Sequence, residues 1–365
     1  MSDETRSGAP AIPGESAAPV RVTFVRHGES ESNSAGRWQG QTDSPLSEHG
    51  HAQARKAGVR LGRVPFDLVI SSDLTRAHDT ARASGHPVET DPRFREIHVG
   101  RWEGLTRAEV LERFPEEIAA IFRGEDIRIG GGESWADATE RADSALSTLK
   151  ERLRPGQHAA VFSHGGVITS LFLRFVGVSR RRPQPLGHMV NTAISTVRFE
   201  HGHPIVERYN DATHTAPEGP WTRKMFGAED AIVALLAWDE DGGRAPIEHE
   251  AFGRVFADVA RVYAGADGDT HAVAEALAAR LGVPFAGDRA SLEAVEELAA
   301  AHAGERVLVV APCAQIHATA TMVVRRLGQD ARFAPPEPGT VTHVARTKSV
   351  VLVADYNAGP LHDLG

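Results

Sequence analysis

The stretch Val22-Thr23-Phe24-Val25-Arg26-His27-Gly28-Glu29 constrains this chain more than any other. Mostly apolar residues running straight into Arg-His-Gly read as a buried strand. Its carboxyl end carries a cation and an imidazole to the rim of a sheet, where open α/β folds bind ligands. Far downstream, Ala159-Ala160-Val161-Phe162 runs in the same way into Ser163-His164-Gly165-Gly166 and then into a helical pattern over 167–173. Two strand-end histidines, each beside glycines that let backbone N–H groups approach an anion, make one constellation.

A length of 365 residues favours two domains over one. Hydrophobic residues at 41% and charged residues at 24% describe a soluble globular chain able to bury substantial cores. A formal net charge of -9 argues against nucleic acid as the partner, although an acidic protein can still hold an anion where the local field is positive. The single cysteine, Cys313, excludes an intrachain disulfide and points to a reducing cytoplasm. No apolar run reaches membrane-spanning length, so no membrane partner is expected. Residues 1–19, rich in Ser, Gly, Ala, Pro and acidic side chains, read as a disordered leader.

Further blocks follow the first strand. Asn33, Gly40 and Asp43-Ser44-Pro45-Leu46 belong to a polar loop that crosses the strand ends; Ser72-Asp73-Leu74-Thr75-Arg76 follows a second strand at 66–70; Glu96 leads Ile97-His98-Val99-Gly100. With Arg26-His27-Gly28-Glu29 and Ser163-His164-Gly165-Gly166, in this order, the chain resembles the histidine phosphatase superfamily, also called phosphoglycerate mutase-like, over about residues 20–214. The resemblance implies an α/β fold, a three-layer α/β/α sandwich with a mainly parallel sheet, filling a catalytic domain over 20–220.

It also implies roles. His27 is the nucleophile that forms a phosphohistidine; Arg26, Arg76 and His164 hold the equatorial phosphate oxygens; Glu96 exchanges a proton with the leaving alcohol and then with water. The chemistry suits the residue types, because a neutral imidazole attacks a dianionic phosphate more readily than an anion can, and a planar guanidinium matches two phosphate oxygens. Asn33, Gln39, Ser44 and Gly165 are further phosphate-binding candidates, and Glu103 is read as shaping the turn before Leu105. No cofactor and no metal are expected, since the guanidinium groups supply the positive charge. The expected partner is a small phosphorylated metabolite, with a homodimer also open. A phosphoglycerate mutase-type phosphotransferase and a phospho-ligand binding or regulatory protein remain as alternatives; Ile97-His98-Val99-Gly100-Arg101-Trp102-Glu103-Gly104 departs from the Arg-His-Tyr-Gly type block that follows the catalytic glutamate in the mutases.

Other expectations concern local structure. Ser47 caps a helix whose Arg55, Lys56 and Arg60 form a solvated face, 109–122 is one helix, 130–134 is a flexible hinge before a helix over 136–153, and 189–199 is a strand serving as scaffold. Arg180-Arg181-Arg182 reads as a solvated basic turn. From about 225 the pattern restarts: Ala231-Ile232-Val233-Ala234-Leu235-Leu236 leads into Ala237-Trp238-Asp239-Glu240 where the first copy has Arg26-His27-Gly28-Glu29, and Val307-Leu308-Val309-Val310 leads into Ala311-Pro312-Cys313-Ala314 where it has Ser163-His164-Gly165-Gly166. Asp269 falls in the place of Arg76. Residues 225–365 are thus expected to be a degenerate second copy, a smaller domain of similar type without catalytic residues.

Overall fold

This computed structural model describes residues 18–178, 184–218, 229–238, 253, 255–265, 270–288, 295–326, 331–347 and 350–359. The first half supplies, in chain order, β1 (Val20–Arg26), α1 (Glu31–Ser34), α2 (Glu48–Leu61), β2 (Leu68–Ser71), α3 (Thr75–Arg82), β3 (Glu89–Thr90), α4 (Arg107–Arg113), α5 (Pro115–Phe122), α6 (Trp135–Arg152), β4 (His158–Ser163), α7 (Gly165–Phe175), β5 (Ile194–Glu200) and β6 (His203–Asp211). The second half supplies β7 (Ala231–Trp238), β8 (Val259–Ala264), β9 (Phe285–Asp288), β10 (Arg306–Pro312), β11 (Val341–Arg346) and β12 (Val351–Ala358), with helices His271–Leu281, Val295–Ala301 and Cys313–Arg325.

All twelve strands join in one sheet, in the order β3-β2-β4-β1-β5-β6-β12-β11-β7-β10-β8-β9. Counted inward from either edge, the strands of each half follow the same order: third, second, fourth, first, fifth, sixth. The central β1 and β4 pair in parallel and are buried over 22–25 and 159–163, as strands covered on both faces there must be. β5 and β6 run antiparallel beyond them, and β6 meets β12 at Tyr209 and Tyr356. One buried cluster extends from Val22 and Phe24 through Tyr209 to Tyr356 and Ala358, so the halves share a core. The sequence pattern does not foresee this continuity, because an edge strand and a shared central strand read alike.

Helix ends follow local chemistry. Ser47 caps α2 through Gly50 N (3.0 Å), and Ser134 and Asp137 form a reciprocal capping box on α6. The helix expected over 109–122 is two, broken at Phe114 because a residue before proline is forced out of the helical region. Nor is 130–134 a hinge. Gly130 and Gly131 sit at φ 57° and 82°, and a Cβ at Gly130 or Gly132 would overlap the Val99 or His98 carbonyl, so the turn is packed backbone to backbone. The strand expected from 189 begins only at Ile194, since Thr192 adopts φ 58° and ends any extended run before it. Arg60 is not on a solvated face: it donates to Asp211 Oδ2 (2.6 Å), Thr213 Oγ1 (3.0 Å) and the Gly359 carbonyl (2.7 Å).

Residues 91–157, which include α4, α5 and α6, rise between β3 and β4 and close on a small core of Ile97, Val99, Trp102, Val110, Ile129 and Ala138. The corresponding connection of the second half is only 289–305. Asp269 and Arg180-Arg181-Arg182 lie outside the described residues, as do residues 1–17.

Candidate active site

Parallel pairing sets Arg26 beside Ser163, so the two chains leave neighbouring strands together and the rings of His27 and His164 stand 5.1 Å apart, tilted by 57°. Both are buried. His27 Nδ1 lies 2.6 Å from the Gly28 carbonyl. A carbonyl only accepts, so Nδ1 carries the proton and Nε2 keeps a lone pair. Backbone bonds hold the residue in place: His27 N donates to Ser163 O (3.0 Å), and Asn191 Nδ2 donates to His27 O (3.1 Å). His164 Nε2 is 2.9 Å from Ser72 Oγ. Leu74 N already donates to that oxygen (3.3 Å), so the hydroxyl proton can point to Nε2 and leave Nδ1 as an N–H.

Two arginines flank the pair. Arg76, on the first turn of α3, is 1% exposed and donates to Thr42 O and Gly40 O, each at 2.9 Å. Burial pulls its guanidinium down to about 10 against the opposing pull of Glu96 and Asp43. Arg26 donates to Met189 O at 2.6 Å; burial lowers it too, with Glu96 opposing. Burial first, then Arg76 and Arg26, hold His27 well below the ordinary imidazole range, and the Gly28 bond only partly offsets them. His164 is lowered in the same way, by burial and then by Arg76. Arg26 Nε, Arg76 Nε and His164 Nδ1 are buried with no hydrogen-bond partner among the described residues. Two orphaned guanidinium donors, with an unpartnered imidazole nitrogen of His164 beside them, fit a ligand with several oxygens on one atom.

Glu96 faces them from the start of the 91–157 excursion. Its carboxyl oxygens accept from Ile97 N (3.0 Å) and from Gly166 N (3.1 Å) in the first turn of α7. A Cβ at Gly166 would stand 2.6 Å from Glu96 Oε1 and 2.8 Å from the Trp135 ring, so any larger residue there would displace one of the two.

These groups open into a cleft of about 480 Å³. Arg26, His27, Asn33, Gln39, Arg76, Glu96 and Gly165 all line it; His164 is not among the lining residues, its ring lying 5.1 Å from that of His27. Ser44 does not: its hydroxyl accepts from Ser32 N (3.2 Å) and supports the loop. Gln39 Oε1 accepts from Ser30 Oγ (2.8 Å), and Asn33 Oδ1 takes a longer contact from Asn191 Nδ2 (3.4 Å). Glu103, read as shaping its own turn, instead accepts from Gln41 N (2.9 Å) and Thr42 Oγ1 (2.5 Å), bracing the loop whose carbonyls grip Arg76. Sequence reasoning missed Ser72, Met189 and Asn191. Ser72 follows a strand end and could have been found; the other two lay in a segment read as scaffold strand. Among the described residues, no three His, Cys, Asp or Glu side chains gather as a metal site, and no helix is long and apolar enough to cross a membrane.

The family model of the histidine phosphatase superfamily (branch 1) matches residues 22–212. A metal-independent phosphoserine phosphatase of Arabidopsis thaliana is 34% identical over 216 residues, 57% of this chain and 88% of that protein. A glucosyl-3-phosphoglycerate phosphatase of Mycolicibacterium vanbaalenii is 36% identical over 47% of this chain and 81% of its own length. Phosphoserine phosphatase 1 of Hydrogenobacter thermophilus is 30% identical over 53% and 94%.

Proposed function

Because this chain belongs to the histidine phosphatase superfamily (branch 1), we propose that it is a metal-independent phosphoric monoester hydrolase working through a phosphohistidine on His27. Nε2 of His27 attacks phosphorus in line; the ester P–O bond breaks, and the Glu96 carboxyl proton goes to the departing oxygen. Water then attacks the phosphohistidine and gives a proton to the Glu96 carboxylate as the P–N bond breaks, releasing inorganic phosphate. Arg26, Arg76 and His164 stabilise the equatorial oxygens throughout. The observation that carries this reading is the set of buried donors without acceptors around an imidazole whose lone pair faces away from Gly28. His27→Ala should abolish phosphate release from p-nitrophenyl phosphate, and Glu96→Gln should slow it by ~10²–10⁴-fold. Native mass spectrometry during turnover should find a phosphate on the peptide holding His27; steady hydrolysis without that adduct would overturn the reading.

The outer cleft favours small phosphomonoesters whose alcohol has apolar surface, because Trp38, Val99, Trp102, Ile121, Ile129 and Trp135 wall it. A substrate panel tests this: kcat/KM should rise with the apolar area of the alcohol. Cys313, the single cysteine of the chain and partly buried, fits a reducing compartment.

Residues 229–359 are read as a second copy of the same fold that lost the phosphate-binding side chains. The repeated strand order supports this, as does the register: Ala237 pairs beside Ala311 as Arg26 pairs beside Ser163, which sets Trp238 and Pro312 where His27 and His164 stand.

A further inference from the structure

The segment 184–190 carries Gln184, His188 and Met189 to the wall of the cleft, yet it is held from the other half of the chain. Val353 of β12 accepts from Gly187 N and donates to Pro185 O, both at 2.8 Å, in a parallel bridge with Leu186. Asn210 closes the other side: Oδ1 accepts from Val190 N (2.9 Å), while Nδ2 donates to His188 O (3.0 Å) and across to Ala354 O (2.9 Å). Tyr209 Oη donates to Gly187 O (2.6 Å). The approach is so close that a Cβ at Gly187 would stand 2.9 Å from Ala354 Cα. This strap in turn holds Arg26, through the Met189 carbonyl.

A constant shift in residue number reproduces the arrangement in the opposite sense. Val206 of β6 accepts from Ala334 N and donates to Arg332 O, both 2.9 Å, bridging Phe333. Asn357 Oδ1 accepts from Glu337 N (2.9 Å), its Nδ2 donates to Glu207 O (2.8 Å), and Tyr356 Oη donates to Ala334 O (2.6 Å). Asn210 and Asn357 both sit in the left-handed region, at φ 56° and 54°. Each strap is therefore held between the Asn and Tyr of its own half and a strand of the other, with the two-fold relation that the subunits of an isologous dimer would show. Only the first strap reaches the cleft.

We propose that the C-terminal half serves catalysis in cis as a positioning element: β12, joined to the strap 184–190 directly at Val353 and through Asn210 at Ala354, fixes the strap and, through Met189, the Arg26 guanidinium. This rests on the phosphatase reading. A buried guanidinium aimed at phosphate must hold its place to a fraction of an ångström, and the strap supplies the fixed acceptor.

The repeated geometry provides its own control. Asn210→Gly and Asn357→Gly each keep the left-handed backbone, remove the same kind of bonds and should lower the melting temperature alike. Asn210→Gly should cut kcat/KM for p-nitrophenyl phosphate by about 10–100-fold while Asn357→Gly stays within about twofold of the parent chain. Equal kinetic effects of the two, or none from Asn210→Gly, overturn the proposal. Should Asn210→Gly not fold, Tyr209→Phe against Tyr356→Phe makes the same comparison, since each removes one bond of 2.6 Å to a strap carbonyl. A parent chain with no phosphatase activity would sink the catalytic reading alone; calorimetric binding of inorganic phosphate then reads the same pair, with weakening in the first variant only as the supporting result and equal binding as the opposing one.

Discussion

At the scale of single residues, the charge state of His27 is made by its surroundings rather than by its own chemistry. Burial, Arg76 and Arg26 all oppose its protonation, so the free enzyme keeps the attacking lone pair below the ordinary imidazole value of about 6.5. The acid limb of kcat/KM, corrected for ionisation of the substrate, should therefore fall below that value; a limb at or above it would contradict the assignment. Arg76 is expected to tolerate lysine poorly. Lysine cannot span Gly40 O and Thr42 O while aiming a planar edge at phosphate, and Arg76→Lys should cost about 10²-fold in kcat/KM. Residues of this kind were legible in the sequence because their types carry the chemistry and glycine-flanked strand ends give their place. Met189 and Gly28 were not legible, since each acts through a backbone carbonyl that any residue possesses.

Among the elements, the turn at 130–132 shows how composition misleads. Three glycines in a row read as looseness, whereas here they let two backbone segments touch, with Gly130 at φ 57° against Val99 and Arg101. Gly130→Ala should cost about 1–3 kcal/mol in denaturant unfolding and raise KM, because Val99 and Ile129 line the cleft on either side of that contact. Little change in either quantity would show that the turn yields easily. Strands β1, β4, β7 and β10 were readable from their apolar runs, and α2 from its cap. The strap was not, because its shape follows from partners far along the chain: Asn210 with Ala354, and Gly187 with Val353.

Over the whole molecule, one sheet and one core join the halves, and Arg60 ties α2 to Asp211 and to the Gly359 carbonyl. Thermal unfolding followed by activity and by circular dichroism should give a single coincident transition; activity surviving a first structural step would count against a shared core. Acid should weaken this assembly. Burial lowers His158 to about 4 and His214 to about 3, so below about 6.5 the unfolded chain binds protons that the folded one refuses. Stability is therefore greatest above that pH, falls as pH drops through the window, and levels off for each group only below its folded value; melting temperatures recorded from pH 7 to 5 should decline. The bond from Asn210 to Ala354 reaches across 144 residues, which has a consequence during synthesis. At ~5–20 residues per second, a ribosome makes the chemistry-bearing half about 7–30 s before the strand that steadies it. Through that interval β6 is an open edge, and neighbouring nascent chains on one messenger can pair through it. The order in which translation delivers the two halves thus leaves β6 without its neighbour in the sheet until β12 is made.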